Sequence, residues 1–280
     1  MSRVAKFAPH GRLRAAAYRC LWTLADVDPT SRLSNACVHL SAGLLRQSDM
    51  FRARTIQWNA FGAAVDDAAS GLEEWEQRIY GDVVRPSSSV LLVGCGTGRD
   101  LAPLVSWGAR VTGLDQSAEL VECARQNLAS RGQTARLLAA PIETADLEGP
   151  YDVIIFSGGC YSAIIGSAAR VSMLSRLGRH LVAEGRLVIT FTARAQASPW
   201  PARLARLASW LSRTDWRPEP GDRFTRDTLV PRLVRSLHPC DSAEVGRECA
   251  KSGLRIIRDE PVGVPLHCVV AVHAAALAQT

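Results

Sequence analysis

The residues best suited to chemistry are a set of alternating glycines and an acid that follows them. Gly94, Gly96 and Gly98 come directly after the apolar run 90–93. An apolar run that ends in glycines is typical of a buried strand entering a tight turn, and glycine lets the backbone approach a ligand closely. Asp115 comes 21 residues after Gly94, where a carboxylate can accept hydrogen bonds from both hydroxyls of a ribose. Together these residues predict a cradle for an adenosine-type cofactor.

The glycine spacing distinguishes between cofactor classes. Dinucleotide-binding loops use G-x-G-x-x-G, whereas Arg99 stands here at the position of the last glycine. The sequence Val-Gly-Cys-Gly-Thr-Gly-Arg-Asp at 93–100 resembles motif I of the class I S-adenosylmethionine-dependent methyltransferases, particularly the small-molecule members with Arg-Asp after the last glycine. The resemblance extends over roughly residues 70–275. It implies an α/β, Rossmann-like fold, with a seven-stranded, mostly parallel sheet, helices on both faces and an antiparallel last strand.

The resemblance also implies a binding site for S-adenosyl-L-methionine. Asp115 would hold the ribose, the turn at 140–143 would flank the adenine, and the end of the fourth strand at 156–158 would line the methionine part. The cofactor-binding residues implied are Gly94, Cys95, Gly96, Gly98, Asp115, Gln116, Pro141, Ile142 and Ser157. Leu92 and Pro141 replace acids that are common in the family, so we expect binding to depend on backbone donors and apolar packing.

Two residues are candidates for catalysis. His238 opens a segment that resembles the closing part of the family, and imidazole titrates near neutral pH, so it could act as a base. A neutral core or surface histidine is at least as compatible with the sequence. Tyr161, shortly after the fourth strand, could line the pocket by hydrogen bonding or could simply pack there. A base is needed only if the acceptor arrives protonated.

Strands and helices alternate through most of the chain, which predicts a parallel sheet covered on both faces. The predicted strands are 109–114, 135–139, 151–156 and 185–191, in addition to 90–93, and the predicted helices are 100–107, 118–130 and 168–183. Ser70-Gly71-Leu72-Glu73 has the pattern of a capping box that opens a further helix.

The chain is expected to consist of a helical extension or cap at 1–69 and a methyltransferase domain at 70–280 with a lid-like insertion at about 194–236. In the extension, two stripes at helical spacing are interpreted as core-facing: Leu33, Cys37, Leu40 and Leu44, then Phe51, Thr55, Trp58 and Phe61. In the insertion, a basic amphipathic helix is predicted with Trp200, Leu204, Leu207 and Leu211 on one face. This helix could bind a membrane surface, close as a lid, or pack on the domain with its arginines solvated.

Charge and cysteine content narrow the possible classes of protein. The net charge of +6 is concentrated in two basic zones, 1–60 and 194–240, which is compatible with RNA or an anionic membrane surface as partner. The eight cysteines include no C-x-x-C pair, which favours reduced thiols in a cytoplasmic protein, and neither cysteines nor histidines have metal-ligand spacing. We therefore predict a cytoplasmic location and no metal. The oligomeric state is left open.

The residues and the resemblance together predict a methyltransferase that transfers a methyl group to an O, N or C nucleophile of a small, partly apolar molecule. Ser157-Gly158-Gly159-Cys160 replaces the Pro-Pro motif of amino-directed nucleic-acid methyltransferases, which disfavours methylation of bases. Two alternatives are left open. One is an enzyme acting on RNA or a lipid headgroup, and the other is a catalytically silent binding or scaffold protein.

Overall fold

Alternating strands and helices after residue 70 form a seven-stranded sheet in the computed structural model, which describes residues 7–62, 70–195 and 200–277. The strands are β1 (Ser89–Val93), β2 (Arg110–Asp115), β3 (Arg136–Ala139), β4 (Tyr151–Phe156), β5 (Leu181–Thr192), β8 (Leu254–Gly263) and β9 (Leu266–His273). A separate hairpin contains β6 (Arg223–Arg226) and β7 (Val234–Leu237). The helices are α1 (Arg12–Ala25), α2 (Arg32–Gly43), α3 (Gln47–Gly62), α4 (Glu74–Val83), α5 (Leu101–Ser106), α6 (Ala118–Ser130), α7 (Ser167–Arg179), α8 (Trp200–Leu211) and α9 (Ser242–Lys251).

The strand order in the sheet is β3-β2-β1-β4-β5-β9-β8. The pairs from β3 to β5 are parallel, and β9 runs antiparallel to both β5 and β8. The predicted seven-stranded, mostly parallel sheet with an antiparallel last strand is therefore confirmed. Parallel β1 and β2 place their carboxyl ends, where the glycine loop and Asp115 lie, at the same edge of the sheet.

Both faces of the sheet are covered by helices. β1 is apolar from Val90 to Val93, and its alternate side chains point to opposite faces, so each face needs an apolar cover. Leu91 and Val93 pack with buried residues of α7 and α9. Val90 and Leu92 pack with buried residues of α4, α5 and α6. The sequence predicted both the apolar strand and the covering of the two faces.

The chain divides into two compact units. The sheet unit consists of Gly62–Ala193 and Cys240–Thr280, and the accessory unit of Met1–Phe61 and Arg194–Pro239. The accessory unit contains α1, α2, α8 and the hairpin, together with α3 up to Phe61. Parts of the predicted extension and insertion, residues 1–6, 63–69 and 196–199, lie outside the described residues.

Two predicted helix boundaries are wrong. The helix expected at 168–183 ends at Arg179, because the carbonyl of His180 accepts the Tyr151 N–H at 2.7 Å and the chain joins the sheet at Leu181. The capping box begins at Glu73 rather than Ser70: the Glu76 carboxylate accepts the Glu73 N–H at 2.8 Å, and α4 starts at Glu74.

The apolar stripes predicted to face the core in the accessory unit are also wrong in part. Leu33 is 60% exposed, and Phe51 and Phe61 are exposed as well. Cys37 is the one residue of the predicted α2 stripe that is buried. The buried residues of α2 are mostly small: Ser34, Cys37, Val38, His39, Ser41, Ala42 and Gly43. Small residues let this helix approach α8 closely, which the hydrophobic pattern alone does not reveal.

Candidate functional site

The loop between β1 and α5 is a tight turn closed by backbone hydrogen bonds. The N–H groups of Gly94 and Cys95 donate to the carbonyl of Leu114 at 2.8 and 3.1 Å. A Cβ on Gly94 would lie 2.3 Å from Cys160 Sγ, and the φ of Gly94 is +78°, so any side chain is excluded there. Gly96 differs because a Cβ on it would meet no atom within 4 Å. The loop is thus packed against the protein at its start and open to a ligand at its centre.

Asp115 ends β2 beside this open part of the loop. Its Oδ2 accepts the Gly96 N–H at 3.1 Å, and its Oδ1 accepts the Ser117 N–H at 2.9 Å. Burial raises the pKa of Asp115, and the hydrogen bonds from Ser117, Gly96 and Gln116 act in the opposite direction. Each carboxylate oxygen has a second lone pair, so the side chain retains capacity to accept further hydrogen bonds. The carboxylate is therefore oriented by the backbone before any ligand arrives.

A polar network connects the loop to β4 and α4. Ser157 Oγ donates to Asp100 Oδ2 at 2.5 Å, and Arg99 contacts Asp100 Oδ1 at 2.7 Å and Glu76 Oε1 at 2.5 Å. Burial raises the pKa of Glu76 above its ordinary value, and the hydrogen bond with Arg99 offsets part of this rise. Two buried carboxylates thus surround one guanidinium, and they hold the loop against the end of β4 through Ser157.

In the sequence, Arg99 excludes a dinucleotide site and is part of the family motif, but no pattern predicts a partner for its side chain. The Arg-Asp pair after the last glycine was a signal for Asp100. Glu76 had no such signal, because it lies on α4, 23 residues before Arg99, which is in the loop.

The turn that follows β3 is held by hydrogen bonds to its backbone carbonyls. The Pro141 carbonyl accepts the N–H groups of Thr144 and Ala145 at 3.1 and 2.8 Å. Arg176 Nη1 donates to the Ile142 carbonyl at 2.7 Å, and Ile142 is buried in the core.

Tyr161 is fully buried in a charged cluster beneath the end of β4. Its hydroxyl donates to Glu248 Oε2, and Arg170 Nε donates to both Glu248 oxygens at 3.0 Å. Arg170 also contacts Glu244 at 3.0 Å. Burial and the Glu248 charge raise the pKa of Tyr161, so at neutral pH it is a neutral hydrogen-bond donor.

His238 belongs to the accessory unit, where it follows β7. Its Nδ1 lies 2.6 Å from Asp222 Oδ1, and neither side chain is exposed. Asp222 Oδ2 accepts the Glu219 N–H at 2.7 Å. Potential ligand atoms of Glu219, Asp222 and His238 lie within 4.8 Å of one another, a grouping that sequence spacing did not reveal. In this structure the Asp222 carboxylate is engaged by hydrogen bonds to the other two residues.

The structure thus brings the predicted cofactor residues of β1, β2 and β4 to one edge of the sheet unit and places His238 in the other unit. None of the eight cysteines, all of which are among the described residues, forms a disulfide. None of the helices in the described part of the chain is both long and apolar enough to cross a lipid bilayer.

Comparison with known proteins matches the part of the chain that contains these strands. A family model described as a methyltransferase domain matches residues 90–185. Over 107 residues the chain is 36% identical to protein-L-isoaspartate O-methyltransferase of Methylorubrum populi. The aligned stretch covers 38% of this chain and 46% of that protein. The chain therefore spans about half the length of this curated relative.

Solved structures show the same fold at low sequence identity. The CcbJ methyltransferase of Streptomyces caelestis has a TM-score of 0.57 and 15% identity, with 78% of this chain and 96% of that one covered. A structure of 1,6-didemethyltoxoflavin-N1-methyltransferase of Burkholderia thailandensis was solved with 1,6-didemethyltoxoflavin and S-adenosylhomocysteine. Its TM-score is 0.55 and its sequence identity 19%, with 81% of this chain and 88% of that one covered. A structure of an S-adenosylmethionine-dependent methyltransferase from Methanosarcina mazei has a TM-score of 0.57 and 16% identity, covering 72% and 97%. Residues 90–185, which contain the glycine loop and Asp115, therefore match a methyltransferase domain, and the sheet has the fold of these methyltransferases of known structure.

Proposed function

We propose that this protein transfers the methyl group of S-adenosylmethionine to an O, N or C nucleophile of a small, partly apolar molecule. The observation that carries the proposal is the placement of the Asp115 carboxylate next to Gly96, where the loop is open. A preoriented acceptor beside an open glycine backbone suits an adenosine, whose ribose presents two adjacent hydroxyl donors.

The residues around the loop fit such a cofactor. A side chain at Gly96 would occupy the space over the loop, so glycine keeps that space available. Leu92 is fully buried and packs with the helices on one face of the sheet, so it belongs to the core and leaves cofactor contacts to the loop. We place the methionine part near Ser157, whose hydroxyl is bonded to Asp100 and brings a carboxylate to the end of β4.

When bound, the cofactor supplies a sulfonium methyl group that is already electrophilic. The chain's task is then to orient the acceptor, and good orientation alone lowers a barrier by up to ~7–11 kcal/mol. The segment that follows β4, residues 157–163, is held by the hydrogen bond from Tyr161 to Glu248. Cys160 lies on this segment, is half-buried, and has its sulfur next to Gly94. We propose that this segment, with Ser157, forms the acceptor side of the site.

The catalytic assignment of His238 and Tyr161 remains a prediction. A general base must come within hydrogen-bonding distance of the proton that it removes, and neither side chain is exposed. His238→Gln tests the assignment. If His238 is the base, the variant loses transfer to a protonated acceptor at neutral pH and regains part of it as pH rises. If the variant has full activity, His238 is a structural partner of Asp222.

The direct test is calorimetric titration with S-adenosylmethionine and S-adenosylhomocysteine. Hydrogen bonds to a charged group contribute ~1.5–3 kcal/mol each, so Asp115→Ala is expected to weaken binding by at least about tenfold. Glu122→Ala is the matched control, since it removes the same charge from the exposed surface of α6 and should leave the affinity unchanged. If the wild-type protein does not bind at millimolar cofactor, the chain is a binding or scaffold protein rather than an enzyme.

The acceptor class is tested separately. Incubation with methyl-labelled cofactor and a metabolite extract, followed by mass spectrometry, should find a small molecule that gains one methyl group. If label appears only in RNA or in lipids, the small-molecule proposal is wrong even if the cofactor binds.

A further inference from the structure

Helix α8 of the accessory unit carries a stripe of large apolar side chains on its exposed side. Trp200, Leu207, Trp210 and Leu211 are 53, 51, 64 and 66% exposed. Positions 200, 207 and 211 lie on one side of a helix, and position 210 borders that side. Contiguous exposed apolar surface of this kind marks an interaction site, whereas single exposed residues do not.

The opposite side of α8 holds the helix in this orientation. Ala205, Ala208 and Ser209 are buried, and a Cβ on Gly43 of α2 would lie 2.3 Å from the Ala205 carbonyl oxygen. Ser212 Oγ, just after the helix, donates to the Gly43 carbonyl at 3.0 Å. Small residues thus form the packed side, and the large apolar residues are presented outward by tight packing.

The charged residues of α8 itself, Arg203 and Arg206, are both basic. Arg203, Arg206 and Arg213 are exposed, and there is no acidic residue between Glu184 and Asp215. The accessory unit as a whole contains 18 basic residues and 7 acidic ones, a net charge of +11. A partner for this surface must therefore be anionic, and it must also accept tryptophan and leucine.

We infer that α8 binds the surface of an anionic lipid bilayer. The helix would lie in the interfacial plane, with Trp200, Leu207, Trp210 and Leu211 at the boundary between headgroups and acyl chains and the arginines among the phosphates. Tryptophan suits this depth because its ring is apolar and its N–H remains in the wet layer.

Two other occupants fit the surface less well. RNA would use the arginines but would leave the leucines and much of the tryptophan surface in water, since its backbone is recognised by charge. A second copy of the chain would bring together two accessory units, each of net charge +11, which repel each other. The bilayer is the occupant that satisfies the apolar stripe and the arginines at once.

The inference is tested by flotation of the full-length protein with vesicles. Phosphatidylcholine vesicles containing phosphatidylglycerol should carry the protein upward in a density gradient at low salt, and pure phosphatidylcholine vesicles should carry much less. Trp210→Ala with Leu211→Ser should reduce partition by at least about tenfold. Leu229→Ser is the matched control, because Leu229 is 42% exposed in the same unit but lies outside α8, and it should partition like wild type.

The arginines are tested by Arg203→Gln and Arg206→Gln. Each is expected to lower partition into anionic vesicles by about fivefold and to leave the weak binding to neutral vesicles unchanged. Circular dichroism of each variant, together with an unchanged cofactor affinity, establishes that the fold is retained.

Four outcomes would overturn the inference. Two concern vesicles: no flotation with anionic vesicles at low salt, or flotation that the Trp210 and Leu211 substitutions do not change. The other two point to a different partner: binding of RNA, unaffected by these substitutions, while vesicles fail to bind, or a dimer in light scattering that these substitutions dissociate. Because none of these readouts measures methyl transfer, the inference stands or fails independently of the proposed function.

Discussion

The sheet unit and the accessory unit differ in how they use charge and apolar surface. The sheet unit contains 20 acidic and 15 basic residues, a net charge of −5, against +11 for the accessory unit. Of the large apolar side chains that are exposed among the described residues, Ile257 and Val264 are in the sheet unit, and the other eleven are in the accessory unit. One unit buries its apolar residues around a cofactor loop, and the other displays them among arginines.

The same difference appears in the ion pairs. In the sheet unit Arg170 and Glu248 are both buried, and the Arg99 network lies beneath the loop. In the accessory unit Asp26 pairs with Arg226 and Arg232 near the surface, where all three side chains are partly exposed. Buried pairs hold a site in one geometry, and exposed pairs contribute little to stability. We therefore expect loss of a single charge to cost more at the buried arginine–carboxylate pairs of the sheet unit than at its exposed pairs, such as Arg125–Glu122.

The largest expected effect is that of Arg170→Ala. Removal of the guanidinium leaves the Glu248 carboxylate buried without its cation, which should lower the free energy of unfolding by about 3–5 kcal/mol. Urea unfolding followed by circular dichroism measures it. Arg125→Ala, which removes an exposed pair with Glu122, is the control and should cost at most about 0.5 kcal/mol. Similar losses in the two variants would remove the contrast between buried and exposed pairs.

A smaller effect is expected in the accessory unit from Gly43→Ala. The new Cβ would meet the Ala205 carbonyl oxygen at 2.3 Å and separate α2 from α8, at a cost of about 1–3 kcal/mol. Gly81→Ala in α4 is the control, because a Cβ there meets no atom within 4 Å and alanine favours the helix by up to ~1 kcal/mol. Calorimetry with S-adenosylmethionine should give the same affinity for both variants. A loss of affinity in Gly43→Ala would mean that the accessory unit is energetically coupled to the cofactor loop.

The smallest effect is expected from pH. In the proposed site the deprotonated Asp115 carboxylate would accept the ribose hydroxyls. Burial raises the pKa of Asp115, so its proton returns at a higher pH than for an ordinary aspartate. Cofactor affinity should therefore decline as pH is lowered through the mildly acidic range. Vesicle binding should persist over the same range because arginine stays charged. Titration calorimetry measures the cofactor affinity and flotation measures the vesicle binding, at matched pH values. If both decline together as pH is lowered, the two units do not use separate chemistry.

Local patterns in the sequence were sufficient for the sheet and for much of the site. The apolar run at 90–93, the alternating glycines and Asp115 are close in sequence, and parallel pairing of β1 with β2 brings their ends to one edge. The helix predicted at 118–130 and the strand at 151–156 have the observed bounds, since each has a clear periodicity and flanking turn residues. Such features depend on neighbours along the chain, which the sequence displays directly.

The tertiary structure decided which partners meet and which helix faces are buried. Arg170 pairs with Glu248, 78 residues later in the chain, and Arg99 of the loop pairs with Glu76 of α4. Only folding brings these charges together. The hydrophobic pattern pointed to Leu33 in α2 and to the tryptophan face of α8 as large apolar surfaces, but close approach of two helices needs glycine, alanine and serine. The faces of α2 and α8 that are buried are the ones with small side chains, because these allow the two helices to approach closely. The larger apolar side chains of α8 therefore remain on the surface.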